Sequence, residues 1–96
     1  PLFIRHRDDL HMKTIVNISQ AVFGDKTEVQ TLHGVINLKI PAGIQSGTVI
    51  RVEGKGMPRR AGYGKGDLLV AVNVHTPTKL TRRQKELLEE LKKENL

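Results

Sequence analysis

Two glycine-rich stretches that carry lysine are the parts of this sequence nearest to a chemical motif. Gly54-Lys55-Gly56 and residues 62–66 could form loops whose backbone N–H groups hold a phosphate. A nucleotide-binding loop runs from a strand into a helix and closes with Lys followed by Ser or Thr. Here the downstream segment has the pattern of a strand, and no such closing pair is present. The context favours structural loops.

The other residues that could act as nucleophile, base or metal ligand are scattered along the chain. The four histidines lack the spacing of a helical metal site; they are His6, His11, His33 and His75. Asp8 and Asp9 precede a predicted strand, where capping a turn is the simpler role. Ser19 has no glycine elbow around it. We therefore predict a protein that is not an enzyme and that holds no metal or cofactor.

Length and composition restrict the remaining possibilities. Ninety-six residues make one domain with a thin core. The absence of cysteine excludes disulfides and thiol chemistry and fits a reducing compartment, so we expect a cytoplasmic location. No apolar run approaches the ~20 residues that span a bilayer, and we expect no membrane association. Because the chain starts at Pro1 rather than Met, we expect it to be part of a longer protein.

The positive charge is concentrated in one glycine-rich segment. Residues 51–66 carry five basic side chains against Glu53, which is +4 of the formal net charge of +6. Such a patch suits acidic partners, and nucleic-acid phosphates are one class of them. Recognition of single strands usually adds stacking rings, and Phe3, Phe23 and Tyr63 are not interleaved with the charges. A small basic β-barrel of the ribosomal type that binds nucleic acid is therefore the alternative interpretation, and no nucleic-acid partner is expected.

Apolar residues recur at period two in several segments and predict a sheet-rich fold. The predicted strands are residues 10–18, 27–32, 35–40, 48–52 and 68–74. Between the first two strands, Ser19 is predicted to cap one short helical turn that Gly24 closes. His33-Gly34 is predicted to form the turn of a hairpin.

The last segment changes to a helical period. Thr81 and Gln84 have the spacing of a capping box, and leucines follow on one helical face. These leucines are Leu87, Leu88 and Leu91, with Leu96 beyond them. Strands followed by one helix predict a mainly β fold: a small two-sheet β-sandwich with one short helical turn and a C-terminal α-helix. The leucine face either folds back on its own sheet or contacts a second copy of the chain.

Several short motifs, in this order along nearly the whole chain, resemble the second C-terminal β-domain of DnaJ-family co-chaperones. The matching stretches are residues 9–10, 18–24, 28–34, 38–47, 51–58, 66–70, 76–77 and 80–88. Ile-Pro-Ala-Gly, Gly-Lys-Gly-Met-Pro and Gly-Asp-Leu are specific as a set, although each alone is weak. Two positions depart from the family pattern: His33 replaces an acidic turn residue, and Arg7 stands where we expect glycine.

The resemblance implies a chaperone function in protein folding and the heat-shock stress response. Such a module would help bind unfolded client polypeptide and would dimerise a DnaJ-type co-chaperone for delivery to a DnaK-type ATPase. The resemblance divides the chain into a linker at residues 1–9, a β-sandwich at 10–78 and a dimerisation helix at 79–96. The implied homodimer interface consists of Leu87, Leu88, Leu91 and Leu96.

Two further contacts are expected from this interpretation. Charge alone suggests that Arg59, Arg60 and Lys65 contact an acidic tail of the ATPase partner. Shallow apolar positions near a sheet edge are expected to hold extended client segments by strand addition, although the sequence does not locate that groove.

Overall fold

The computed structural model describes residues 3–58 and 64–96 of the chain. The elements follow one another as β1 (Ile4–His6), β2 (Asp9–Val16), α1 (Ile18–Phe23), β3 (Asp25–Thr31), β4 (Gly34–Ile40), β5 (Thr48–Val52), β6 (Leu68–Val74) and α2 (Arg82–Lys93). Four strands form one sheet in the order β1-β2-β6-β5, and β3 and β4 form a second, two-stranded sheet. The predicted fold class is confirmed: two sheets, one short helix and a C-terminal helix.

The core lies between the two sheets. Alternate side chains of β2 and β6 point inward, and Leu68, Val70 and Val72 of β6 are fully buried. Val29 and Leu38 of the smaller sheet belong to the same apolar cluster. β6 occupies the middle of the larger sheet, parallel to β2 and antiparallel to β5. The sandwich is therefore built around β6, the strand with the longest apolar run in the sequence.

The strand boundaries differ from the sequence prediction at two turns. β2 ends at Val16, and Asn17 caps α1 instead of the predicted Ser19, because the Asn17 side chain accepts a hydrogen bond from the Gln20 backbone N–H at 2.8 Å. Ile18, predicted as a strand residue, therefore begins the helix. In the hairpin, Thr31 pairs with Gly34, so the two-residue turn is Leu32-His33, one residue earlier than predicted.

A close backbone approach fixes the end of α1. A side chain on Gly24 would collide with the Ile40 carbonyl oxygen and the Ala42 nitrogen, and Gly24 has a positive φ of 78°. Only glycine satisfies both conditions. Beside it, the Gln20 side-chain amide and the Lys26 backbone N–H donate to the Asp25 carboxylate and lower the pKa of Asp25 below its ordinary value. These contacts join α1 to the start of β3.

The N-terminal segment contributes a strand to the larger sheet. β1 lies within residues 1–9, the segment that we predicted as a linker, and pairs antiparallel with β2. The turn between them places Arg7 at a φ of 58°, in the left-handed region that favours glycine. This conformation accounts for the glycine that we expected at this position.

α2 stands apart from the sandwich. None of its residues is buried, and the chain is elongated, with principal extents of 57 × 20 × 19 Å. Within residues 3–58 and 64–96, no helix is long and apolar enough to cross a membrane.

Candidate functional site

The described parts of the glycine-rich motifs, residues 54–58 and 64–66, form a structural junction at one end of the larger sheet, and residues 62–63 lie outside the described chain. The backbone N–H of Met57 donates to the Asp8 carbonyl oxygen at 2.8 Å, and the Gly56 and Gly66 N–H groups donate to other backbone carbonyls of the junction. A side chain on Gly56 or Gly66 would collide with Asp8. Because protein carbonyls already occupy these N–H groups, this part of the loop has no phosphate cradle.

Two aspartates hold the same junction together. The Asp9 carboxylate accepts a hydrogen bond from the Asp67 backbone N–H at 2.7 Å. The Asp67 carboxylate in turn accepts from the Gly54 backbone N–H and forms an ion pair with Arg51. The Gly-Lys-Gly-Met-Pro and Gly-Asp-Leu motifs therefore meet in space, and their role here is to lock the loop to the β1–β2 turn.

His33 connects the smaller sheet to this junction. Its Nε2 lies 2.7 Å from the Gly56 carbonyl oxygen, which can only accept, so Nε2 carries the proton. Nδ1 then accepts from the Lys65 ammonium at 3.5 Å. The residue that departs from the family pattern thus spans the hairpin turn and the glycine-rich loop.

No metal-binding constellation is found in the part of the chain that the structure covers. Among these residues, no group of three or more histidines and carboxylates could hold a metal ion. His6 and His11 form an edge-to-face ring pair, with ring centroids 6.3 Å apart. The candidate functional features are instead two apolar surfaces.

The first surface is the leucine stripe of α2: Leu87, Leu88, Leu91 and Leu96. The predicted capping box begins the helix, because Thr81 Oγ1 accepts from the Gln84 N–H at 3.1 Å and Gln84 Oε1 accepts from the Thr81 N–H at 2.8 Å. Leu87, Leu88 and Leu91 are between 37% and 43% exposed. The stripe is therefore left open by the rest of the described chain.

A hydrogen-bonded turn connects the end of α2 to Leu96, whose side chain stays 86% exposed. Asn95 has a φ of 64°, its N–H donates to the Lys92 carbonyl, and the Leu96 N–H donates to the Leu91 carbonyl at 3.1 Å. This is a Schellman motif, in which the residues in the positions of Leu96 and Leu91 commonly make an apolar contact. Sequence reasoning placed Leu96 simply beyond the helix; Asn95, a residue that tolerates the left-handed region, was the signal for the motif.

The second surface is a concavity on the outer face of the larger sheet, which we call the outer groove. Its volume is about 720 Å³. It is lined by Ile4, Arg5, His6, His11, Met12, Lys13, Val49, Leu69 and Ala71. The register places Ile4, His11 and Leu69 side by side on adjacent strands, and Lys13, Ala71 and Val49 in the next row. Sequence reasoning missed this surface because it scored only the inward positions of each strand.

The predicted acidic-tail residues are partly within the described chain. Lys65 is exposed, pairs with Pro58 in an isolated β-bridge and hydrogen-bonds to His33. Arg59 and Arg60 lie outside the described residues. This set therefore stays a prediction from charge.

Taken together, the fold and its two apolar surfaces define a β-sandwich module suited to contacts with other polypeptides. The sequence profile of the family described as "DnaJ C terminal domain" matches residues 1–77. The chain belongs to this family, as its motifs indicated. The alternative of a nucleic-acid-binding barrel is not supported, and the strands form two open sheets.

Curated relatives support the same assignment. The chain is 52% identical over 91 residues to "Chaperone protein DnaJ" of Geobacillus kaustophilus, covering 95% of this chain and 24% of that protein. It is 53% identical over 88 residues to the protein of the same name from Geobacillus thermodenitrificans, covering 92% and 23%. The chain thus spans about a quarter of the length of these relatives.

Proposed function

We propose that this chain is the non-catalytic module that helps bind unfolded polypeptide and dimerises a DnaJ-type co-chaperone for delivery to a DnaK-type ATPase in the cytoplasm. The single observation that carries the dimer is the open leucine stripe of α2, a helix with no buried residue. A helix of twelve residues is marginal in water without tertiary packing. A second copy would supply that packing.

The size of the stripe fits a dimer of weak to moderate stability. Full burial of a leucine contributes about 1.5–3 kcal/mol, and a leucine that is already partly shielded contributes less. Counted on both copies, the stripe would contribute a total comparable with the ~4–15 kcal/mol that association costs. We therefore expect monomer and dimer to exchange as the protein concentration changes.

Dimerisation would strengthen client binding by holding two client-binding modules close together. When two client-binding modules are joined, the second contact with one unfolded chain becomes intramolecular, which raises avidity ~10²–10⁴-fold without any new contact. Binding the same client twice would require no chemistry from this chain. The partner copy would thus be part of the function.

Contact with the ATPase partner belongs to the same proposal. Arg59, Arg60 and Lys65 would attract an acidic tail of that partner by charge. Since exposed charges are screened by salt, this contact should weaken steeply as ionic strength rises.

A pair of matched double variants tests the dimer by sedimentation velocity. Leu87→Gln with Leu91→Gln removes apolar surface from the stripe, and Glu89→Gln with Lys93→Gln introduces the same side chains on the opposite face of α2. Neither pair changes the net charge. We expect the leucine pair to sediment as a folded monomer at concentrations where the control pair still dimerises. Equal association of both pairs would contradict the proposal.

A further inference from the structure

The outer groove has an apolar floor on a face that a solvent-exposed sheet would make polar. Ile4 is 67% exposed, Ile15 is 70% exposed and Val49 is 55% exposed, all on this face. Sheets with one side in water normally alternate apolar inward and polar outward residues. These side chains break that rule: Ile4 and Val49 line the groove, and Ile15 lies beyond it on the same face.

The central strand shows the same departure in its sequence. β6 carries Leu69 and Ala71 at outward positions, so Leu68-Leu69-Val70-Ala71-Val72 is apolar throughout. Unbroken apolar runs are typical of strands that are covered on both faces. The smaller sheet covers the inner face of β6, and no described element of the chain covers its outer face. This pattern favours an occupant for the groove.

The rim of the groove carries basic side chains and no carboxylates. Arg5 and Lys13 line the groove together with His6 and His11, and none of its lining residues is acidic. Arg5 lies 3.5 Å from the Asp8 carboxylate, whereas Lys13 makes no ion pair within the described residues. An occupant that combines apolar and acidic side chains would match both the floor and the rim.

The position of the groove indicates the shape of the occupant. The groove reaches β1, which lies at the edge of the sheet and pairs only with β2 among the described strands. An edge strand offers backbone N–H and C=O groups to a polypeptide that lies extended beside it. A second copy of the same face fits poorly, because the Lys13 side chains of the two copies would bring like charges together.

We infer that the outer groove binds extended segments of unfolded client polypeptide in which acidic residues alternate with apolar ones. The apolar side chains contact Val49, Leu69 and Ala71, and the acidic side chains face Lys13. This inference rests on the proposed client-binding function and adds to it a location and a sequence preference.

The test compares two short fluorescent peptides by anisotropy at fixed ionic strength. One alternates apolar residues with Glu, and the other is identical except that Lys replaces Glu. We expect the Glu peptide to bind about tenfold more tightly, because an ion pair with Lys13 in one peptide becomes a like-charge contact in the other. Lys13→Glu should abolish or invert this preference, whereas Val49→Ser should weaken both peptides alike.

Two matched variants separate the groove from general charge effects. Lys79→Glu makes the same charge change as Lys13→Glu at an exposed position outside the groove, and we expect it to keep the full preference. The pair Arg59→Glu and Arg60→Glu should also keep it. The inference is overturned if Lys13→Glu behaves like Lys79→Glu, or if the preference follows Arg59 and Arg60. A fall in molar mass caused by Lys13→Glu would identify a second copy as the occupant and would overturn it too.

An uncharged apolar peptide separates failure of this inference from failure of the proposed client role. If all three peptides bind equally and Lys13→Glu has no effect, the groove preference is wrong while client binding stands. If no peptide binds at all, both the inference and the client-binding part of the proposed function fail. Dimerisation through α2 is measured independently.

Discussion

The sandwich and α2 are stabilised in opposite ways. In the sandwich, β6 is enclosed by neighbouring strands and by the smaller sheet, and Leu68, Val70 and Val72 are inaccessible to solvent. In α2, every residue keeps some exposure, although the helix has a complete capping box and a Schellman motif. Local sequence signals are satisfied in both regions, but only the sandwich has its packing within the same chain.

Because of this difference, substitutions in the sandwich should affect folding, and substitutions in α2 should affect association between copies. A change in the sandwich core should alter the free energy of unfolding of the single chain. A change in the leucine stripe should leave that free energy nearly unaltered and should alter the concentration at which copies associate. Leu68 in the core and Leu91 in the stripe allow a direct comparison, because the same side chain lies in different surroundings.

The largest expected effect is that of Leu68→Ala, matched by Leu91→Ala. Truncation of the fully buried Leu68 should lower the free energy of unfolding by about 2–5 kcal/mol, because it removes apolar contacts and leaves a cavity. Leu91→Ala should cost well under about 1 kcal/mol at concentrations where the chain is monomeric, since the side chain is exposed and Ala is a good helix former. Urea denaturation of both variants measures this. Similar losses in the two variants would show that α2 packs within its own chain.

A second prediction concerns the junction that locks the loop to the sandwich. Gly66→Ala should destabilise the chain by about 3 kcal/mol, because the new side chain collides with the Asp8 backbone, which is held on both sides. Gly47→Ala, at a φ of 92° with no atom nearby, should cost only about 1 kcal/mol from backbone strain. Thermal unfolding of both variants measures the difference. An equal loss of stability would mean that the backbone of the junction moves to accommodate the new side chain at little cost.

The smallest expected effect is a gain in stability. Arg7 holds a left-handed conformation that glycine adopts without steric cost, so Arg7→Gly should raise the free energy of unfolding by about 0.5–1 kcal/mol. The dimerisation constant should stay unchanged, because the turn lies in the sandwich. A stabilised variant that also associates more tightly would contradict the separation of the two regions. Denaturation and sedimentation on the same samples provide both values.

Much of this architecture could be predicted from periodicity and capping signals. The inward positions of β6 and the capping box of α2 were predicted correctly, because each depends on residues close in sequence. The cap of α1 was assigned to Ser19 instead of Asn17, since both are good capping residues two positions apart. The parallel pairing of β2 with β6 could not be predicted, because it joins segments more than fifty residues apart.

Prediction of the two apolar surfaces was limited in the same way, because they depend on residues that are distant in sequence. The leucine stripe could be predicted from helical spacing, whereas its exposure depends on where the whole helix lies. The outer groove draws its lining from four strands, so no local pattern defines it; the outward Leu69 and Ala71 were its one sequence signal. His33 appeared as a departure from the family pattern, and its contact with Gly56 is a property of the folded chain.

Hydrogen exchange at two protein concentrations shows whether α2 obtains its packing from a second copy of the chain. Mass spectrometry would follow the amides of β6 and of α2 in the same sample, below and above the association range. We expect protection of β6 to be the same at both concentrations and protection of α2 to rise with concentration, because its packing comes from a second copy. Protection of α2 that is equal at both concentrations would show that a second copy does not supply its packing.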